Sequence, residues 1–381
     1  MKFSIIKYLS LSLVALSIAA CQDSESDLLK AKVYFENNVQ HVSMPDTGTS
    51  LDVDITARIS NKQSSSTAVS YSLADPSLVT TYNHKYGTDY IAYKAENATL
   101  SKTSSTIEAG QIYADKVVLS LNNLDQLEEG KNYMLPVKVH SSSTSIIEGE
   151  DIEYILLAKP IRISKVALFY DSFISVKFPT GTYFKSFTYE ALINPYYFGN
   201  NNTIMGTEGI MILRIGDVGG GIAKDILQIA GQQHYEAPEA LQTNKWYHIA
   251  LTYDQATGKT VMYLNGTKWA ESAWSIPGFS PNSDVGFNIG KIPNFPWGTR
   301  PFYGYMSEVR VWSVARTENQ IKQNMLSVDP KSEGLELYFK MNGSEKSTSS
   351  KITDAAKGIE CSTNNVTIEN LDHPIMLKDL Q

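Results

Sequence analysis

The stretch from Trp246 to Gly266, WYHIALTYDQATGKTVMYLNG, restricts the fold of this chain more than any other. Trp246–Tyr253 is dense in aromatic and β-branched residues, the chemistry of a strand. Asp254–Lys259 supplies turn residues, Thr260–Leu264 runs back, and Asn265-Gly266 makes the next turn. Apolar groups fall on both faces of the first strand. A strand covered on one face only would alternate apolar with polar, so this one belongs inside a sheet-on-sheet sandwich.

The rest of the chain reads the same way. Leu51–Ala57 alternates with period two, the mark of a half-buried strand. Lys116–Leu121, Tyr133–Val139 and Glu153–Ala158 are further short strands, and Asn61–Thr67 is a polar loop. Short helical turns are expected at Leu78–Tyr86 or Leu124–Glu128. Strands at this spacing suggest a small Ig-like sandwich. Lys159-Pro160 marks a boundary, and 381 residues suit two domains. Thr317-Glu318-Asn319-Gln320 fits a capping box, with Thr at the N-cap and Gln at N3, so a short helix should follow to about Leu326.

Two motifs carry a resemblance. The W-x-H-x-A-x-T-Y-D strand at Trp246–Asp254 with its Y-x-N-G return resembles the laminin-G/concanavalin A-like domain. Phe302–Thr317, FYGYMSEVRVWSVART, follows that family's F-x-G-x-[IM]-x-E-V-R-[VI]-W-x-x-A-R-T segment, and Leu335–Gly343 resembles its next strand. Tyr133–Val139 with Tyr154–Leu157 resembles a Bacteroidetes-type N-terminal domain of unknown function, found at the front of surface lipoproteins from glycan-utilisation loci. The expected fold is therefore all-β: an Ig-like sandwich over residues 30–163, then a concanavalin A-like jelly roll over 164–381.

The N-terminus is read as targeting, not fold. Lys2 and Lys7 precede an apolar run, Leu9–Ala20, too short to span a membrane as a helix. Ile18-Ala19-Ala20-Cys21 resembles a bacterial lipobox, which makes residues 1–20 a signal peptide and Cys21 the lipidation site. Residues 21–29 form an acidic tether, resembling the segment that sends such lipoproteins to the cell surface. An outer-membrane, surface-exposed protein anchored through its lipid is expected. Without Cys21, Cys361 stands alone, so no internal disulfide is available and the core must hold the fold. A net charge of −7 with no basic run argues against nucleic acid as a partner.

Chemistry-bearing patterns are few. Gly258-Lys259-Thr260 lacks the earlier glycine of a phosphate-binding loop and joins two strands, so it reads as a hairpin turn. Hydrolases of the concanavalin A-like fold place paired carboxylates on one strand as E-x-D-x-x-E, and the second domain has no such run. Glu148–Glu153 comes closest and reads as a solvated acidic turn of the first domain. Glu308 and Arg310 project to one strand face as an ion pair, and His248 alternates with core positions. No catalytic residue is expected. Relatives often hold calcium in edge loops, and Asp217, Asn265, Asp284 and Asp354 are loop acceptors of the required kind, with no spacing that selects among them.

Aromatic residues in loops are the better clue, because sugar rings stack on flat aromatic faces while polar neighbours orient the hydroxyls. Trp297 and Arg300 sit in a Pro-rich, apolar loop, Ile292–Phe302. Tyr196 and Tyr197 open a second such loop, and Trp274 follows the Asn265-Gly266 turn in a segment with little regular pattern. These five are the candidate glycan contacts. The expected function is non-catalytic glycan binding within a polysaccharide or glycoprotein uptake system of the outer membrane. The alternatives are a glycoside hydrolase with atypical catalytic residues, or an adhesin or scaffold that binds another outer-membrane protein.

Overall fold

The computed structural model describes residues 30–44, 48–364 and 366–380. The expected signal peptide, Cys21 and the whole of the tether lie outside them. Two compact units form. The first takes the chain up to Val79, Ala92–Asp125 and Tyr133–Leu157. The second takes Ala158–Gln381 together with two short stretches, Thr80–Ile91 and Gln126–Asn132. The described residues contain no helix long and apolar enough to cross a membrane.

In the N-terminal part the strands are β1 (Val33–Phe35), β2 (Val39–Ser43), β3 (Ser50–Ile55), β4 (Ala57–Ile59), β5 (Thr67–Leu73), β6 (Ile91–Ala92), β7 (Ala98–Leu100), β8 (Ser104–Ile107), β9 (Val117–Asn122), β10 (Asn132–His140) and β11 (Ile152–Ala158). One sheet runs β2-β11-β10-β5-β8 with β6 beside β10, a second runs β3-β9-β7, and β1 pairs β4. The period-two segments named from sequence pair with each other. Val53 lies opposite Leu119 and Ile55 opposite Val117, and all four are buried. Tyr71 on β5 is buried, and its phenol oxygen accepts a hydrogen bond from the Ala57 amide. Helix α1 (Ser77–Tyr86) and a 3-10 turn at Leu124–Gln126 fall at both expected places.

The C-terminal unit contains β12 (Ile163–Tyr170), β13 (Phe173–Val176), β14 (Phe187–Tyr197), β15 (Asn202–Thr207), β16 (Met211–Asp217), β17 (Ile222–Gly231), β18 (Tyr235–Ala240), β19 (Tyr247–Asp254), β20 (Lys259–Leu264), β21 (Thr267–Ala273), β22 (Phe287–Ile289), β23 (Tyr303–Trp312), β24 (Leu335–Phe339), β25 (Lys351–Thr353), β26 (Glu360–Asn364) and β27 (Thr367–Ile375). They form two sheets. One is ordered β21-β20-β19-β14-β23-β12-β27 with β24 beside β23, and the other β18-β17-β16-β15-β22-β13-β26-β25. Their facing sides share one core, with Tyr189, Ile249, Leu251 and Val309 from the first sheet and Ile204, Leu213, Leu227 and Ile289 from the second. Each such side chain contributes about 1.5–3 kcal/mol by leaving water.

The hairpin at Trp246–Gly266 explains its doubly apolar pattern here. Tyr247, Ile249, Leu251 and Tyr253 of β19 face the second sheet. Its other face carries Ala250, which packs with Val261, Tyr263 and Ile321. Ile321 belongs to helix α2 (Glu318–Gln323), so a helix, not another sheet, covers that outer face. The helix starts at the expected capping box, since Thr317 accepts from the Gln320 amide and the Gln320 side chain accepts from the Thr317 amide.

Strand β23 contains a device that its sequence hides. Glu308 adopts a left-handed backbone, φ 53°, and the register against β14 slips between Glu190/Leu192 and Arg310/Ser307. The extra residue is a β-bulge, which resets which side chains face inward. Met306 points into the core before it and Val309 and Val311 after it. Glu308 and Arg310 are thereby both turned into the covered outer layer. A non-glycine residue there costs about 1–2 kcal/mol, which the surrounding contacts must offset.

Candidate functional site

The ends of β12, β14 and β23 place three tyrosines side by side. Tyr303 is paired in register with Tyr170 on one side and with Tyr197 on the other. Ring centroids are 5.8 Å apart for Tyr170–Tyr303 and 5.5 Å for Tyr197–Tyr303, both edge-on. The outer two are open to solvent, Tyr170 at 65% and Tyr197 at 56%. Tyr196 lies half-buried behind the row, 6.5 Å from Tyr303. Two inter-strand spacings make this row about 10 Å wide. Burial pushes the Tyr196 and Tyr303 phenols above their ordinary values, so both stay neutral and able to donate at pH 7. Polar groups surround the row. Asp171 pairs with the Lys291 ammonium at 2.9 Å, and Asn202 accepts from the Gly199 amide at 2.8 Å.

The Ile292–Phe302 loop presents Trp297 beside this end of the sandwich. Its apolar residues have two different tasks. Ile292 and Phe295 pack on Ile212 and Ala230 and anchor the loop. Trp297 sits at the tip, 80% exposed, touching only the Phe295 ring edge-on at 5.3 Å among the described aromatics. Backbone bonds Ile292 N to Thr299 O and Gly298 N to Phe295 O close the loop on itself. Arg300 is committed to holding it. Its guanidinium lies over the Phe295 ring at 4.8 Å and pairs with Glu208 at 2.6 Å, while its carbonyl accepts from Thr203. Arg300 therefore positions Trp297 and is not free to meet a ligand. The Trp297 ring and the tyrosine row make no ring contact with each other. They are joined by the short segment Gly298–Phe302, whose last amide bonds the Gly290 carbonyl.

Trp274 is a correction. It is only 5% exposed and lies in the main core, 5.6 Å from the Tyr235 ring and 6.2 Å from Tyr253. Its amide bonds the Gly258 carbonyl across the hairpin turn. The preceding segment is a regular strand, β21, with an exposed, polar-rich face, so its period is blurred and Trp274 looks like a loop aromatic in sequence. Tyr170 and Tyr303 were missed for the converse reason. Each lies within a strand or matched motif, and only the register shows that they flank Tyr197.

The carboxylates of the motif strands are buried and neutralised. Glu190 is fully buried, with Arg316 at 3.0 Å, Arg310 at 3.2 Å and His248 at 3.3 Å. Glu308 pairs with Arg310 and accepts from the Tyr338 phenol at 2.6 Å. Arg310 also donates to the Asn324 carbonyl, and Arg316 lies over the Trp312 ring and reaches half-exposed Asp89 at 3.2 Å. Burial raises the Glu190 pKa, but Arg316, His248 and Arg310 outweigh it and hold the carboxyl well below the usual range. Burial lowers His248 more than Glu190 raises it, so the imidazole is neutral. With no solvent access, this group fastens β14, β19 and β23 to the 313–326 segment and has no means of meeting a substrate.

The loop acceptors considered for calcium have other work. Asp354 spends its oxygens on the Tyr338, Ala356, Lys357 and Ile359 amides. Asp217 pairs with Arg214, and Asn265 accepts from the His248 amide. Asp284 is exposed in a loop. Among the described residues no three His, Cys, Asp or Glu side chains converge on a common point.

The acidic run Glu148–Glu153 departs from expectation. Its end is not solvated: Asp151 is buried against Lys138 at 3.3 Å, and Glu153 is buried where β11 begins.

Comparison with known proteins fits this architecture. The concanavalin A-like lectin/glucanases superfamily matches residues 171–322, and a family defined as an N-terminal domain matches residues 29–146. A Bacteroides ovatus protein of known crystal structure, provisionally named as carbohydrate binding, is 55% identical over 91% of this chain and 99% of its own, with a TM-score of 0.64. A heptameric SAP-like pentraxin from Limulus polyphemus is 14% identical over 53% of this chain and 95% of its own, with a TM-score of 0.33. Bacteroides thetaiotamicron EndoBT-3987 is 22% identical over 32% of this chain and 28% of its own, with a TM-score of 0.28. No curated protein matches the sequence. The chain belongs to the family of the Bacteroides ovatus protein, and in this chain the N-terminal-domain match precedes the concanavalin A-like lectin/glucanase match.

Proposed function

We propose that this protein binds glycans without cleaving them, and that it does so at the strand ends carrying Tyr170, Tyr303 and Tyr197, with Trp297 at the neighbouring loop tip. The observation that carries the reading is the tyrosine row. Three phenols in register, two of them open to water, offer stacking faces and hydroxyl groups together. Isolated exposed aromatics are ordinary on a protein surface, whereas a contiguous patch of this kind marks a binding site. The 55% identical relative, named for carbohydrate binding, supports the same reading. The burial and pairing of Glu190 and Glu308 support binding over hydrolysis, because neither can reach a glycosidic bond. We further infer a lipid-anchored, surface-exposed place in a glycan uptake system. The Cys21 motif supports it, and loss of the protein from the membrane fraction on Cys21→Ala checks it.

The decisive experiment is titration of the mature protein with a panel of host and plant glycans, with and without Ca²⁺, beside Tyr197→Ala and Trp297→Ala. Each stacking contact is worth about 1–1.5 kcal/mol, so each variant should bind roughly tenfold more weakly. Absence of binding to every glycan refutes the proposal, as does binding by both variants at wild-type strength. Release of reducing ends from the same panel would show that the site is hydrolytic.

A further inference from the structure

We infer that a cavity of about 300 Å³ in the first unit, lined by Glu153, Glu36, Asp54, Gln40 and Thr56, binds a small ligand through a primary ammonium group. The cavity lies at the small end of the usual range for small-molecule pockets, about 300–1,000 Å³. Two of its three acids are already satisfied. Glu36 pairs with Arg58 and accepts from the Tyr113 phenol at 2.7 Å, and Asp54 pairs with Lys116 at 2.5 Å. Glu153 is different. It is 7% exposed, lines the cavity, and has no hydrogen-bond or ion-pair partner among the described residues. A buried carboxylate left without a partner is costly, and native proteins supply one in nearly every case. Its partner comes from outside the chain, as water or as a ligand donor in the cavity.

Its chemistry follows from the lining. No basic side chain lines the cavity, so the charged and titratable groups around Glu153 are Glu36 and Asp54, already held by Arg58 and Lys116, the Tyr113 phenol and the buried Tyr71 behind it. A positive charge for Glu153 itself is what this set lacks. A divalent ion needs several carboxylates at one point, and no three acidic, His or Cys groups converge among the described residues. A primary ammonium has three donors and needs one carboxylate plus neutral acceptors, and Glu153 lines the cavity together with two residues that carry such acceptors, Thr56 and Gln40. Burial raises the Glu153 pKa to about 7, so an arriving ammonium would displace a proton near neutrality. The site belongs to the first unit and does not depend on the tyrosine row.

Calorimetric titration of the full mature chain with ethanolamine tests it, with N-acetylethanolamine as the neutral control, since neither carries a sugar ring for the tyrosine row to read. Ethanolamine should bind, and N-acetylethanolamine at least tenfold more weakly. With a carboxyl titrating near 7, ethanolamine binding should strengthen about tenfold between pH 6 and pH 8, where its alkyl ammonium stays charged. Glu153→Gln should remove binding at pH 8 by tenfold or more while melting no lower than the parent, because it deletes an unpaired buried charge. Thr56→Val should weaken binding but keep the pH dependence. Tyr197→Ala should leave amine binding unchanged. Equal binding of N-acetylethanolamine, unchanged binding by Glu153→Gln, or no saturable binding of ethanolamine would overturn the inference.

Discussion

Replacing Glu190 by glutamine should destabilise the second unit strongly, and the size of the effect follows from its neighbours. Within the buried cluster, Glu190 and Glu308 balance Arg310 and Arg316, with His248 neutral. Glutamine keeps the shape but leaves one buried positive charge in excess. Breaking a buried pair in this way costs about 3–5 kcal/mol. The low end applies, because Arg316 retains Asp89 and Arg310 retains Glu308. A loss of about 3 kcal/mol in a unit of this size lowers Tm by roughly 6–12 °C. Thermal and urea unfolding at pH 7 measure it. The acid limb gives a second readout. Glu190 has a folded pKa below its unfolded value near 4.3, so its stabilisation is full above that pH and is lost as pH falls toward the folded value. His248 is likewise depressed, from near 6.5, and its contribution also fades as pH falls. Wild type should therefore lose stability below about pH 6.5 and faster below 4.3, while Glu190→Gln should show a shallower second loss, left to other depressed carboxyls such as Asp329. In a double-mutant cycle, Glu190→Gln and Arg316→Gln together should cost at least about 1 kcal/mol less than the sum of the singles. A Tm shift under about 2 °C, or additivity within about 0.5 kcal/mol, would refute the assignment of this cluster as the fastening of the outer layer.

Trp274→Ala should cost about 3–5 kcal/mol by urea unfolding, the price of a large core cavity, with no loss of glycan affinity in the molecules that remain folded. Trp297→Ala should change stability by no more than about 0.5 kcal/mol while weakening glycan binding, since the ring is mostly in water. Gly290→Ala should lose about 2–4 kcal/mol: φ is 81°, and an added Cβ would lie 2.2 Å from the Phe169 ring and 2.9 Å from the Ser172 carbonyl. Because Gly290 bonds both Ile204 and Phe302, that variant should also weaken glycan binding by displacing the Trp297 loop.

Much of the fold was legible because its signals are local. The β19–β20 hairpin declares itself through eight consecutive strand-forming residues and a turn, and the helix at Glu318 through a capping box spanning four residues. What escaped is what depends on partners distant in the chain. The bulge at Glu308 places a glutamate in a backbone conformation that its own propensity disfavours, and only the network of Arg310 and Tyr338 makes it worthwhile. The candidate site shows the same division. Trp297 could be picked out because a Pro-rich apolar loop is odd for a solvated connection. Tyr170 and Tyr303 could not, since a tyrosine ending a strand looks the same whether its cross-strand neighbour is another tyrosine or a lysine. Glu153 was misread because a run of acids resembles a solvated turn, and the run in fact enters a strand.

The two faces of the first sheet in the C-terminal unit explain where specificity can vary without unfolding it. Its inner face is core, and the middle of its outer face is covered by Ile321, Met325 and Leu326 around the buried charges. Neither face can accept a ligand without dismantling contacts worth several kcal/mol. The strand ends carry the exposed aromatic surface that remains, and there Tyr170, Tyr197 and Trp297 contribute little to the core. Stability and recognition therefore rest on side chains that share no partners, and energies of such sites add. Glu190→Gln combined with Trp297→Ala should lose the stability of the first and the affinity of the second, each unchanged by the other. Coupling above about 0.5 kcal/mol in either quantity would mean that the charge cluster reaches the loop, and that the outer layer takes part in recognition after all.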